Sequence, residues 1–318
     1  MLPSHAYLAP LLYVPADRPG LEAMLNGGKD LGVCSLAVCL EDAVRAEHRR
    51  VAATALAHLL HQVEQPAPRA IFVRPADADL LSLLLDTGAL RHVQGVLVPK
   101  ATPARIRQWA NLTRSSLPLL PILETREALD PIGRRELAAA CDDHRAVIPF
   151  VRVGANDLFA LLGGLRRPRG RTVYETPVGR VVDELLEIFI SHGFSLSGCV
   201  FDRLDDPATL ARECEEDALR GIFRKTALNP RQVADIWQTY LPAASEVEEA
   251  QHILHPDAPA VFGMNGSMHE AAVHGEWARR LLERDAIHRA ADLHFNADLL
   301  PAAFAAKTQS PPDSASTQ

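Results

Sequence analysis

Leu119-Leu120-Pro121-Ile122-Leu123-Glu124-Thr125 is a short apolar run that ends in a single carboxylate. Bounded by a proline and a polar turn, it reads as a fully buried strand. The carboxyl ends of buried parallel strands open into the mouth of a (β/α)8 barrel, where such folds keep their chemistry. Glu124 is therefore the first candidate site residue. Taken alone, it reads equally well as a cap for the next helix or a partner for Arg126, so the other strands must decide.

Before this stretch, apolar runs at 11–14, 35–40, 70–73 and 95–98 end in Pro15-Ala16-Asp17-Arg18-Pro19, Glu41-Asp42, Arg74-Pro75 and Pro99-Lys100. After it, runs at 146–151, 198–201 and 225–228 lead into Arg152-Val153-Gly154-Ala155-Asn156-Asp157, Asp202 and Asn229-Pro230. The segments between them predict helices over 21–29, 45–61, 77–86, 126–140, 176–192 and 207–220, and one that Thr102 caps with Pro103 at its first position. In the second of these, Val51, Ala55, Leu59 and Val63 mark the expected inner face.

Alternation of this kind predicts an all-parallel sheet covered by helices. Eight strand candidates before Tyr240 fit a closed α/β barrel, the (β/α)8 TIM barrel, better than an open sheet. A doubly wound nucleotide fold would place a GxGxxG fingerprint after its first strand, and the chain has Pro-Ala-Asp-Arg-Pro there. The predicted organisation is a barrel over 1–240, a C-terminal helical extension over 241–304 that contributes to an interface, and a Ser/Pro/Thr/Gln-rich disordered tail over 305–318. Within the extension, Asn265-Gly266 marks a hairpin turn, and helices are predicted over 246–254 and from Glu270 onward.

A net charge of −7 over 318 residues argues against a sequence-independent nucleic-acid binder. The five cysteines show no CxxC or Cys/His spacing, which fits reduced thiols in a cytoplasm and neither a zinc site nor a disulfide framework. No apolar run reaches the length of a membrane span, and the first residues lack a signal-peptide pattern.

Two kinds of residue meet at the strand ends. Glu124 and Asp157 come from neighbouring strands, and two hard carboxylates without His or Cys suit Mg²⁺, or Mn²⁺, over zinc. Arg74 and Lys100 lie on the same rim. A metal beside an arginine suits an α-keto acid: the metal chelates the keto oxygen and one carboxylate oxygen, and the arginine takes the other charge. Both would stabilise the enolate that arises when a carbon–carbon bond is made or broken next to a carbonyl. An ordinary rim of ion pairs is the competing reading. The loop from Gly163 to Arg171 holds Arg166, Arg167, Arg169 and Arg171, either as a grip for anionic groups such as the phosphates of CoA or as a solvated charged loop.

Leu12-Tyr13-Val14-Pro15, Leu40-Glu41-Asp42-Ala43-Val44, Val73-Arg74-Pro75, Val98-Pro99-Lys100, Leu123-Glu124-Thr125 and Gly154-Ala155-Asn156-Asp157-Leu158, in that order, resemble the HpcH/HpaI aldolase and citrate lyase β-subunit family. The Leu-Glu-Asp-Ala-Val box is the most specific piece. The resemblance implies a TIM barrel, Mg²⁺, and lyase chemistry on small keto or hydroxy acids or their CoA thioesters. It implies Glu124 and Asp157 as metal ligands and Arg74 as a substrate-binding residue; Lys100, Pro15 and Arg18, at neighbouring strand ends, are further substrate-binding candidates. It further implies Glu41 and Asp42 as the acidic pair that supports the site and positions water, and a homo-oligomer (trimer or hexamer).

The chain departs from the family at Arg74-Pro75, Leu228-Asn229-Pro230 and Gly266-Ser267-Met268-His269-Glu270. The last of these, followed by His274 and Trp277, is similar to the C–C bond lyase-like branch associated with tellurium-resistance clusters. By that analogy Glu270 is a general acid/base reaching a neighbouring subunit's site; a glutamate favoured by a helix N-terminus is the plainer reading. The expected function is a Mg²⁺-dependent carbon–carbon lyase or aldolase acting through a metal-stabilised enolate. A catalytically lapsed barrel serving as a ligand-binding or scaffold protein in a stress response is the alternative.

Overall fold

The structure is a computed structural model and describes residues 10–28, 33, 35–64, 67 and 69–294. Eight parallel strands form one sheet: β1 Leu11–Pro15, β2 Ser35–Leu40, β3 Ala70–Pro75, β4 Gly95–Val98, β5 Leu119–Leu123, β6 Val151–Val153, β7 Leu196–Ser197 and β8 Thr226–Ala227. Their order is β7-β6-β5-β4-β3-β2-β1-β8. A bridge from Gly198 to Lys225 brings the two ends together, so the sheet curls into a nearly closed TIM barrel with helices between its strands.

Because side chains alternate along a strand, every second residue points into the barrel. Leu11, Ala37, Phe72, Leu97, Leu120, Ile122 and Phe150 fill its interior. Tyr13, Cys39, Arg74, Glu124 and Arg152 continue the same alternation toward the carboxyl ends, where the filling gives way to a cavity.

Several expectations need correction. β6 was expected over 146–151 and forms at Val151–Val153, because Val147 and Ile148 close a turn on the His144 carbonyl and Pro149 has no N–H for a ladder. β7 was expected over 198–201 and forms at Leu196–Ser197, because the carbonyls of Val200 and Phe201 accept from the side chains of Arg167 and Gln232. The helix expected over 126–140 is two, Arg126–Leu129 and Pro131–Asp143. Asp130 breaks it by accepting from the Gly133 N–H at 2.7 Å, with Pro131 opening the second helix. Helix Arg49–His61 buries Ala52, Ala53, Leu56, Ala57 and Leu60, while Val51 is 73% exposed. The true inner face is thus a stripe of alanines and leucines offset from the expected one. A short helix, Ala155–Leu161, was not expected at all.

The chain divides into two compact units, Met1–Thr239 and Tyr240–Gln318. The second holds helix Ala244–Ile253, the hairpin β9 Val261–Met264 and β10 Ser267–Glu270, and helix Ala271–His294. Its core joins Val247, Ala250, Ile253, Ala278 and Leu281. Asn265 and Gly266 both take positive φ, 49° and 79°, as a two-residue hairpin turn requires. Glu270 ends β10 and does not open the helix. The expected tail over 305–318 lies outside the described residues.

Candidate functional site

Glu124 follows β5 directly and is 4% exposed. Its Oε1 accepts the backbone N–H of Lys100 at 2.7 Å. Lys100 stands at φ 47°, in the left-handed region that non-glycine residues seldom occupy, and this turn aims its N–H at the carboxylate. On the other side, Gly154 leaves room: a Cβ there would stand 2.0 Å from Glu124 Oε2. Asp157, in the first turn of helix Ala155–Leu161, lines the same cavity. Burial and, next, the charge of Asp157 push the Glu124 carboxyl up to about 8, against the Lys100 N–H and Arg74, which favour its charged form.

Glu41, Asp42, Arg74 and Lys100 form one network. The buried Glu41 carboxylate pairs with Arg74 at 2.8 Å and with the Lys100 ammonium. Asp42 lies 3.4 Å from Arg74 and 3.5 Å from Lys100, whose ammonium also comes within 3.9 Å of Asp157. Cys39 pairs in register with Arg74, and its Sγ accepts from Nε at 3.3 Å and a terminal nitrogen at 3.2 Å. Burial alone would weaken the Arg74 charge, but Tyr13, Cys39 and Glu41 hold it firmly protonated.

The cavity has a volume of about 370 Å³ and opens at the carboxyl ends of the strands. Of the candidate residues, Pro15, Asp42, Arg74, Glu124 and Asp157 line it. Lys100 is not in its wall; its ammonium is tied to carboxylates and its N–H holds Glu124. Arg18 is exposed and does not line the cavity. Glu270 belongs to the second unit, half-buried, with its N–H donating to His274 Nδ1 at 3.0 Å.

Tyr13, Arg152 and Thr226 are among the cavity residues that carried no role in the sequence reading. Arg152 donates to Thr226 Oγ1 and to Tyr13, and Arg74 lies over the Tyr13 ring at 5.0 Å. The available signal was Val151-Arg152-Val153: a charge between two valines in a parallel strand, where it must point into the barrel.

The Gly/Arg loop is neither a free grip nor wholly solvated. Arg167 is completely buried, bound to Glu213 and the Val200 carbonyl. Arg166 faces Asp202 at 3.6 Å, Arg169 meets Asp205 at 2.9 Å and Arg171 meets Glu175 at 2.6 Å.

Glu124 and Asp157 suit a hard divalent cation. Two carboxylates in one cavity wall, one of them raised toward neutrality by burial and by the other, form a pair that such a cation would relieve. Among the described residues no group of three or more His, Cys, Asp or Glu gathers as a metal cluster. Any cation here would keep positions for water or substrate, as Mg²⁺ commonly does.

Comparison with known proteins gives the same direction. A family model described as C–C bond lyase of the TIM-barrel fold matches residues 3–289. The chain is 26% identical over 242 residues to a (3S)-malyl-CoA thioesterase of Cereibacter sphaeroides, covering 76% of this chain and 79% of that one. The structure of protein CitE from Mycobacterium tuberculosis with magnesium, acetoacetate and coenzyme A shares the fold, with a TM-score of 0.66 at 24% identity over 89% of this chain and 99% of that one. A citrate lyase β subunit from M. tuberculosis, complexed with oxaloacetate and magnesium, is 25% identical with a TM-score of 0.57, over 76% of this chain and 100% of that one.

Proposed function

Because this chain belongs to the C–C bond lyase family of the TIM-barrel fold, we propose that it is a Mg²⁺-dependent lyase or aldolase acting on a small keto or hydroxy acid, free or as a CoA thioester. The observation that carries this reading is the Glu124–Asp157 pair, with Glu124 pushed up to about 8 in the wall of a cavity of fitting size. The magnesium and oxaloacetate of the M. tuberculosis citrate lyase β subunit support it. Glu124 and Asp157 would hold the cation, which when bound supplies Lewis-acid polarisation of a carbonyl oxygen.

The remaining residues prepare the site. The Lys100 N–H and the space at Gly154 fix the Glu124 carboxylate in one place. Glu41 anchors Arg74 and Lys100 together, which sets the positive side of the cavity. Asp42, half-exposed at the rim, would orient water for proton transfer at the carbon next to the carbonyl. Glu270 would serve as a further acid/base, supplied by a neighbouring copy in a homo-oligomer.

Proton exchange reads this chemistry without knowledge of the natural substrate. Solvent deuterium should enter the methyl group of pyruvate faster than in buffer, only with Mg²⁺ or Mn²⁺. In Glu124→Gln the rate should fall by at least about 10–100-fold. Exchange at the buffer rate for pyruvate, with no cleavage of malyl-CoA or citryl-CoA, would sink the lyase reading.

A further inference from the structure

Two arginines line the cavity; one is ion-paired with carboxylates of the protein, and the other feels only the more distant charge of Glu124. Arg74 is bound to Glu41 at 2.8 Å and Asp42 at 3.4 Å. Arg152 is 5% exposed, and its partners are hydroxyls, those of Thr226 and Tyr13. Among the described residues no carboxylate pairs with it within 4.0 Å. A guanidinium buried without a directly paired carboxylate is unfavourable; the Glu124 charge offsets its burial only in part, which leaves room for a ligand carboxylate.

Its place in the fold says which part of a ligand it meets. Arg152 pairs in register with Ile122, two residues before Glu124. At roughly 3.3 Å per residue, its backbone lies about 7 Å below that of Glu124 along the strand. The carboxylates that suit a cation stand at the rim, and Arg152 stands in the floor. A single small carboxylate held at the rim leaves the floor unanswered; a molecule with a second one answers both.

We propose that Arg152, with the hydroxyls of Tyr13 and Thr226, forms a carboxylate subsite in the cavity floor, which takes the carboxylate that the rim does not and selects keto diacids over keto monoacids. Arg74, held by Glu41, Asp42 and Cys39, stays at the rim. The proposal rests on the reading of Glu124 and Asp157 as the cation site.

Calorimetric titration of oxaloacetate and pyruvate into the Mg²⁺-loaded chain tests it. Wild type should bind oxaloacetate at least about tenfold tighter than pyruvate, as expected for one charge-assisted pair. Arg152→Gln should lose that preference, with Mg²⁺ affinity and pyruvate binding little changed. Arg152→Lys, which keeps charge without the fork, should fall between; if the Gln variant does not fold, this variant carries the test. An oxaloacetate-to-pyruvate ratio equal to wild type in the folded variants overturns the subsite. Malonate titrated with the cation chelated reads the floor by itself. If Mg²⁺ does not bind wild type but malonate binds it and not the Arg152 variants, the cation reading fails and the subsite stands. Equal malonate binding by wild type and variants overturns the subsite.

Discussion

Glu124 has a charge problem that its surroundings create and a cation would solve. Its carboxyl is buried, faces Asp157, and rises from an ordinary 4.5 to about 8. Between those two values the folded chain holds a proton there that the unfolded chain has lost. Stability owed to Glu124 is therefore greatest below pH 4.5, falls as pH rises to about 8, and is level above. In denaturant titrations with the cation chelated, Glu124→Gln should flatten that decline between pH 6 and 8.5; an unchanged slope would assign it to other groups. Gly154→Ala should act on the same carboxylate by sterics, since the new Cβ would stand 2.0 Å from Oε2. It should weaken Mg²⁺ binding at least about tenfold while destabilising the fold by about 1–3 kcal/mol. Glu41, Asp42, Arg74, Glu124 and Asp157 were legible as candidates because they follow apolar runs. Tyr13 was not, because it lies within the apolar run of β1; Arg152 was not, because β6 was placed too early, so that Arg152 read as part of a loop and not as a strand residue facing the cavity. Nor does any pattern in the sequence show that Arg74 is occupied by Glu41 and Asp42.

At the scale of elements, the barrel closes where strand pairing is thinnest, and buried charge takes over there. Gly198 and Lys225 form one bridge. Behind it, the Lys225 ammonium, fully buried, pairs with Glu213 at 2.9 Å and Asp217 at 2.7 Å. Asp217 accepts from the Tyr174 hydroxyl at 2.5 Å, and Glu213 accepts from the Val173 N–H at 2.6 Å and pairs with Arg167. Glu213 and Asp217 lie one turn apart on helix Pro207–Leu219, so a single helix face carries both anions to the seam. Lys225→Met leaves two buried carboxylates short of a cation and should cost about 3–5 kcal/mol in denaturant unfolding. Arg169→Ala, which breaks an exposed pair with Asp205, should cost less than about 1 kcal/mol. Comparable losses from both would mean that the seam is not held by this cluster. β1 to β5 were readable because their apolar runs are continuous and their ladders regular. β6 and β7 were displaced by Pro149 and by side chains that take the ladder's carbonyls, which are tertiary contacts that a local pattern does not contain.

The whole molecule is two compact units with separate cores. The barrel carries the cavity; the second unit carries Glu270, fixed at the end of a hairpin whose Asn265-Gly266 turn was evident from sequence. A homo-oligomer in which Glu270 serves a neighbouring site makes a specific prediction. Mixing inactive Glu124→Gln with inactive Glu270→Gln subunits should restore turnover in mixed assemblies, and failure of all mixtures would confine Glu270 to a structural role. On the proposed reading, Glu124 and Asp157 would hold a divalent cation that in turn admits a keto acid. The most direct test of that reading is calorimetric titration of Mg²⁺ into wild type and Glu124→Gln, each with and without oxaloacetate. Wild type should bind Mg²⁺ and then oxaloacetate, and the variant neither. Equal Mg²⁺ binding by both proteins, or none by wild type, would contradict it.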